Sequence, residues 1–148
     1  KRVDLARRMN ADRYVCSAKE DAVQVVMDET QGRGADIVIT ANSAWQTHAQ
    51  ALEMAAIRGK ICLFGGMPGG TRVPQYDTNA IHYKELNVIG THGAMPRHHK
   101  MALDMIASGK LPIAPIITHT FPLDRFHDAI ATAERGEGLK IIVKPNEE

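Results

Sequence analysis

An α/β fold built on a parallel, doubly wound sheet is what this sequence predicts, and three observations predict it. Short, nearly continuous apolar runs at residues 35–40, 60–64 and 86–90 alternate with longer segments of helical spacing. Runs of that length and character suit parallel strands buried on both faces. The connections are short and rich in Gly, Asn and Ser, and right-handed crossovers then lay helices on both faces of the sheet.

The chain opens inside a helix: Val3, Ala6 and Met9 recur every third residue with charge between them, and Asn10 supplies a left-handed stop. A beginning of that kind, without an initiator Met, reads as part of a longer protein. Arg13-Tyr14-Val15-Cys16 is a short strand. Residues 21–30 follow helical spacing through Ala22, Val25, Val26 and Glu29 and end at Gln31-Gly32-Arg33-Gly34. Ala35 to Thr40 is the first buried strand. Ser43 caps a helix from Ala44 to about Ile57, with Trp45 as a packing anchor and Arg58-Gly59 as its stop. Lys60 to Phe64 is the second buried strand, closed by Gly65-Gly66-Met67-Pro68-Gly69-Gly70, and Leu86 to Gly90 is the third. Further on, His98 to Ser108 forms an amphipathic helix with Met101 and Met105 toward the core, ending at Gly109. Pro112 and Pro115 break the chain before the apolar-polar mix Ile116 to Phe121. Leu123 starts a helix that ends near Gly136, and Leu139 to Lys144 is a last strand.

Composition narrows the function. The 148 residues carry 18 Lys+Arg against 17 Asp+Glu, a formal charge of +1 that gives no electrostatic reason to expect nucleic acid. Hydrophobic residues make up 44%, which argues against wholesale disorder. No apolar run approaches the roughly 20 residues of a membrane helix. Cys16 and Cys62 both fall in predicted strands as small buried thiols, so a disulfide framework is not expected and a reducing cytoplasm is.

In doubly wound sheets, ligands gather outside the carboxyl ends of the strands. That rule selects Asn42 and Ser43 after the first buried strand, Phe64, Gly65 and Gly66 after the second, and Thr91, His92 and Gly93 after the third. Gly65 and Gly66 permit close approach of backbone to a flat ligand, and φ > 0 where needed; the same pair also makes a tight turn with no ligand. His92 is read either as a proton relay or polar wall, or as a solvated loop histidine. His48, His82, His119 and His127 are surface or packing residues. His98 and His99 lie about 100° apart on a helix and are a poor metal pair.

Several stretches, taken in order and spacing, resemble the C-terminal portion of the zinc-dependent medium-chain alcohol and polyol dehydrogenases, the sorbitol-dehydrogenase group most of all. They are Arg2 to Asp12, Gly34 to Ile39, Arg58 to Gly65, Ile117 to Leu123 and Gly138 to Val143. The resemblance covers essentially the whole chain. It implies a partial Rossmann sheet lacking its first two strands in residues 1–93, and a C-terminal segment returning to the catalytic domain in residues 94–148. It also implies NAD or NADP as cofactor, a zinc in the parent chain with ligands outside this segment, and hydride transfer on a secondary alcohol or polyol. By the same resemblance no catalytic or metal-ligating residue lies here, and the segment alone is inactive. Arg2 matches an arginine beside the adenosine ribose, and Lys140 a basic position that reaches the pyrophosphate. Asn42, Ser43, Phe64, Gly65, Gly66, Thr91, His92 and Gly93 match segments lining the nicotinamide side. Gly93 and Ala94 stand where polyol-using members often carry larger polar residues.

Leu86 to Gly90 is implied to be a sheet edge that pairs across a homo-oligomer. In the family's strand order, Arg13–Cys16 would be left about three strand spacings from its neighbour, at about 4.8 Å each. It is therefore expected to rearrange or to pair with another chain. Two rival readings stand beside this one: a nucleotide-binding or interaction module without chemistry, and the zinc-free quinone-reductase branch of the same superfamily.

Overall fold

In the computed structural model, which describes residues 2–9, 11–69 and 76–146, three parallel strands lie in the order β1 (Ala35–Thr40), β2 (Ala55–Leu63), β3 (Asn87–Gly90). They belong to one of two compact units, Val15–Gly93; the other joins Lys1–Tyr14 to Ala94–Glu148. Asn10 and Gly70, expected as a helix stop and a loop closer, lie outside the described residues, as does the side chain of Arg2.

Within Val15–Gly93, Asp21 caps α2 (Ala22–Glu29) by accepting from the Val23 and Gln24 N–H groups; α1 (Arg2–Ala6) belongs to the other unit. Arg33 binds the Asp36 carboxylate at the start of β1, and that hydrogen bond, reinforced by charge, holds the carboxyl below its ordinary range. Side chains alternate along β1: Val38 and Thr40 turn inward, while Ile37 and Ile39 stay 62% and 59% exposed. The core gathers Ala51, Leu52, Ala55, Ile61 and Leu86, drawn from β2, from α3 (Gln46–Met54) and from the lead into β3. The helix α4 (Thr78–Tyr83), capped by Asp77, adds Ala80 and Ile81.

Burial on both faces is therefore not what β1 shows. The strand order explains it. β1, β2 and β3 step across the sheet in one direction, so the right-handed crossovers through α3 and α4 fall on the same face.

Other expectations are corrected as well. Arg13–Cys16 is not a strand and joins no ladder. Its polar groups find local partners instead: Cys16 N–H donates to Glu20 Oε1, and the Tyr14 hydroxyl bonds the Met9 carbonyl. The helix expected to reach Ile57 stops at Met54, and β2 starts at Ala55. Lys84 Nζ ends it, donating to the carbonyls of Leu52, Glu53 and Ala55 at 2.9, 3.0 and 3.1 Å. Gly34 packs so tightly on this junction that a Cβ there would lie 2.7 Å from Met54 O. Ser43 is not the cap of α3; Asn42 Oδ1 organises that turn by accepting from Ala44 N–H and the Thr47 hydroxyl. Trp45 is exposed rather than an anchor.

The second unit carries α5 (Pro96–Ala107), which starts two residues earlier than the spacing predicts because Pro96 suits the first helical turn. His98 Nδ1 accepts from Met95 N–H at its start. Met101 and Met105, expected in the core, are 62% and 41% exposed. The mixed stretch after Pro115 forms β4 (Ile117–Pro122), parallel to β5 (Lys140–Lys144), and α6 (Phe126–Glu134) buries Ala129 and Thr132 in the same unit. Among the described residues no helix is long and apolar enough to cross a membrane.

Candidate functional site

The strands β1, β2 and β3 end at the same edge, and backbone hydrogen bonds tie their exits together. Gly65 N–H donates to Thr40 O at 2.7 Å, and Thr91 N–H donates to Leu63 O at 3.1 Å. Each bond carries the ladder one step beyond the strands, so the loops leave as a joined platform. Beneath it Thr40 is buried, its hydroxyl 3.4 Å from Cys62 O, and Cys62 Sγ lies 3.4 Å from Thr91 Oγ1. Sequence reasoning did not single out Cys62 and Thr91 as a pair. The register that places Cys62 opposite Ile89, two residues before Thr91, is the signal that finds it.

Seven of the eight residues selected after the strands are exposed at this edge: Asn42, Ser43, Phe64, Gly66, Thr91, His92 and Gly93, with Phe64 63% exposed. Gly65 is half-buried, and its role differs from expectation. A Cβ on it would lie 2.2 Å from Asn42 O and 2.6 Å from Asn42 N, so its bareness serves the contact between two loops. Neither Gly65 nor Gly66 adopts positive φ; Gly93 does, at 69°. A Cβ at Gly66 or Gly93 would meet nothing within 4 Å. Arg2 and Lys140 are not in this unit: Arg2 lies in α1, and Lys140 opens β5 opposite Ile117 with its side chain exposed.

The platform suits one end of a flat, polar cofactor. It offers an exposed aromatic face at Phe64, a hydroxyl at Thr91, an amide at Asn42, and open space above Gly66 and Gly93. Zinc is another matter. Among the described residues no three His, Cys, Asp or Glu come together, so the side chains present do not fit that metal.

Comparison with known proteins agrees with this architecture. Residues 1–108 match the family described as zinc-binding dehydrogenase. L-threonine 3-dehydrogenase of Chromobacterium violaceum is 33% identical over 144 residues, covering 96% of this chain and 41% of that protein. D-arabitol-phosphate dehydrogenase of Enterococcus avium is 28% identical over 147 residues, covering 99% of this chain and 41% of its own length. The chain thus spans about two fifths of these relatives. An alcohol dehydrogenase of Thermotoga maritima shares the fold with a TM-score of 0.89 at 23% identity, over 98% of this chain and 40% of that one. Mixed α/β architecture with parallel sheets, shared with that alcohol dehydrogenase, and a family match over most of the length lead to one conclusion: the chain belongs to the zinc-binding dehydrogenases.

Proposed function

We propose that this chain forms the nicotinamide-facing part of the cofactor-binding domain of a dehydrogenase that uses NAD or NADP to oxidise a secondary alcohol or polyol. The observation that carries the reading is the tie between strand exits, Gly65 N–H to Thr40 O and Thr91 N–H to Leu63 O. Held by these residues, NAD or NADP would supply hydride transfer to or from the alcohol carbon. The chain's own part is to bind and orient. Phe64 supplies an apolar face for the ring, and Thr91 and Ser43 supply hydroxyls. Asn42 donates through Nδ2, its Oδ1 being engaged by the turn. Gly65 keeps the platform tight, Gly66 and Gly93 leave it clear, and His92 forms a polar wall.

Arg2 is assigned to the adenosine ribose and Lys140 to the pyrophosphate, supported by the resemblance of the motifs around them. Residues 94–148 are assigned to the catalytic domain on the same ground. The zinc of the parent enzyme is assigned to ligands outside this segment, which alone turns over nothing. The edge of β3, which pairs with no further strand among the described residues, suits a second copy of the chain, and a cytoplasmic enzyme on small molecules completes the reading.

The test is made in the full-length polypeptide that carries this segment. Phe64→Ala is expected to raise the Kd for NAD or NADP about tenfold, a loss of about 1.4 kcal/mol, and to leave the thermal midpoint unmoved because the ring is already exposed. An unchanged Kd would overturn the site. Failure of the unaltered polypeptide to reduce either cofactor with any secondary alcohol or polyol would overturn the activity.

A further inference from the structure

Cys62 sits in the middle of a row that crosses the sheet, opposite Ile39 on β1 and Ile89 on β3. Neighbours paired in register share a face of the sheet, and Thr91, two residues past Ile89, falls on that face as well. Ile39 and Ile89 stay exposed on either side of the thiol. A cysteine packs in such a row as a small hydrophobe and still offers a weak donor and acceptor; a valine would pack alike and offer neither. Cys62 Sγ uses that capacity on Thr91 Oγ1, 3.4 Å away.

Both members of the pair are set by their backbones. The Cys62 carbonyl lies 3.4 Å from the hydroxyl of buried Thr40. Thr91 N–H donates to Leu63 O at 3.1 Å, which pins the backbone that carries the threonine hydroxyl. Among the described residues the thiol is the only hydrogen-bond partner of the Thr91 side chain, which is otherwise exposed. A hydroxyl left to solvent spreads over as many as three staggered wells of χ1, whereas a partner fixed in the adjacent strand selects one.

We propose that Cys62 is a positioning residue for cofactor binding: through Sγ it holds the Thr91 hydroxyl in one rotamer before the cofactor arrives. The inference rests on the reading of Thr91 as a cofactor contact. The hydroxyl stays available whichever atom donates. If the thiol donates, the hydroxyl proton is left for the ligand; if the hydroxyl donates, a lone pair is left. Apparent affinity follows the population of the competent state, so release over three wells weakens binding about threefold.

The experiment measures the Kd for NAD or NADP in the full-length polypeptide. Thr91→Val is expected to raise it about fivefold, the worth of one neutral hydrogen bond. Cys62→Val should raise it about threefold, and Cys62→Ser, which keeps a hydrogen-bonding atom in place, by less than about twofold. Added to Thr91→Val, Cys62→Val should have no further effect, a result that general loosening of the sheet would not give. If Thr91→Val binds as tightly as the unaltered chain, the cofactor reading of Thr91 falls and the proposal with it. If Thr91→Val weakens binding but Cys62→Val does not, or Cys62→Val acts equally in both backgrounds, or Cys62→Ser is as poor as Cys62→Val, the positioning role alone is overturned. Should the Cys62 variants fail to fold, three-bond couplings across the Cα–Cβ bond of Thr91 in the labelled, cofactor-free polypeptide decide: a single rotamer upholds the proposal and averaged couplings overturn it.

Discussion

Gly65 lies so close to the Asn42 backbone that a methyl group there would sit 2.2 Å from its carbonyl oxygen, whereas Gly66, one residue on, faces open space. Neither has positive φ, so contact alone separates them. Gly65→Ala forces the two loops apart and is expected to cost about 1–3 kcal/mol; Gly66→Ala should stay within about 0.5 kcal/mol. Urea unfolding of the two variants side by side checks the contrast. Tyr76 poses a different question of chemistry. Because burial raises its phenol, the folded state keeps the proton where the unfolded chain releases it. Stability is then full below the ordinary phenol range and is lost as pH rises through the folded value. Tyr76→Phe removes that alkaline loss together with the unpaired hydroxyl, and should gain about 1 kcal/mol at neutral pH. Thermal melts across an alkaline series would show it; a variant less stable at neutral pH would mean that the hydroxyl has a partner.

At the level of elements, the end of α3 depends on a residue from beyond β2. Lys84 Nζ satisfies three carbonyls at the junction where helix becomes strand. Lys84→Met leaves them without that partner, at an expected cost of about 1–2 kcal/mol, with faster hydrogen exchange confined to the last turn of α3 and the start of β2. The same residue shows where sequence reading stops. β1, β3 and β5 were legible as apolar runs and α2 as a helical spacing, because each of those signals is local. The stop at Met54 is a tertiary effect with no mark in residues 44–57. Arg13–Cys16 has strand-like residues, yet a strand also needs a neighbour to pair with, and local partners took its polar groups instead. Spacing along α5 reveals an apolar stripe without saying what, if anything, covers Met101. The candidate platform was readable because topology alone puts strand exits together. The approach of His48 in α3 to Tyr76, which lies ahead of α4, was not, since the two are distant in sequence.

For the molecule as a whole, the apolar surface left uncovered decides its behaviour in solution. On β1, Ile37 and Ile39 point to the same side and are more than half exposed, and Ile89 on β3 is exposed as well. Folded monomers rarely carry such a surface without a partner, and among the described residues β1 and β3 each have one unpaired edge in the three-stranded sheet. The 148-residue chain by itself is therefore expected to bind a hydrophobic dye such as anilinonaphthalene sulfonate and to self-associate at micromolar concentration. The double change Ile37→Lys with Ile39→Lys should suppress both effects while preserving the circular dichroism. Those two side chains contribute little to the core, which draws on Val38 and Ile61 instead. Charges on that side oppose face-to-face burial and also hinder a second chain from adding to the β1 edge. Sedimentation velocity separates the alternatives: an unsubstituted 148-residue chain that is monomeric and dye-dark would mean the surface is already covered in solution. Association that survives both lysines would shift responsibility to the edge of β3 or to the exposed stripe on α5.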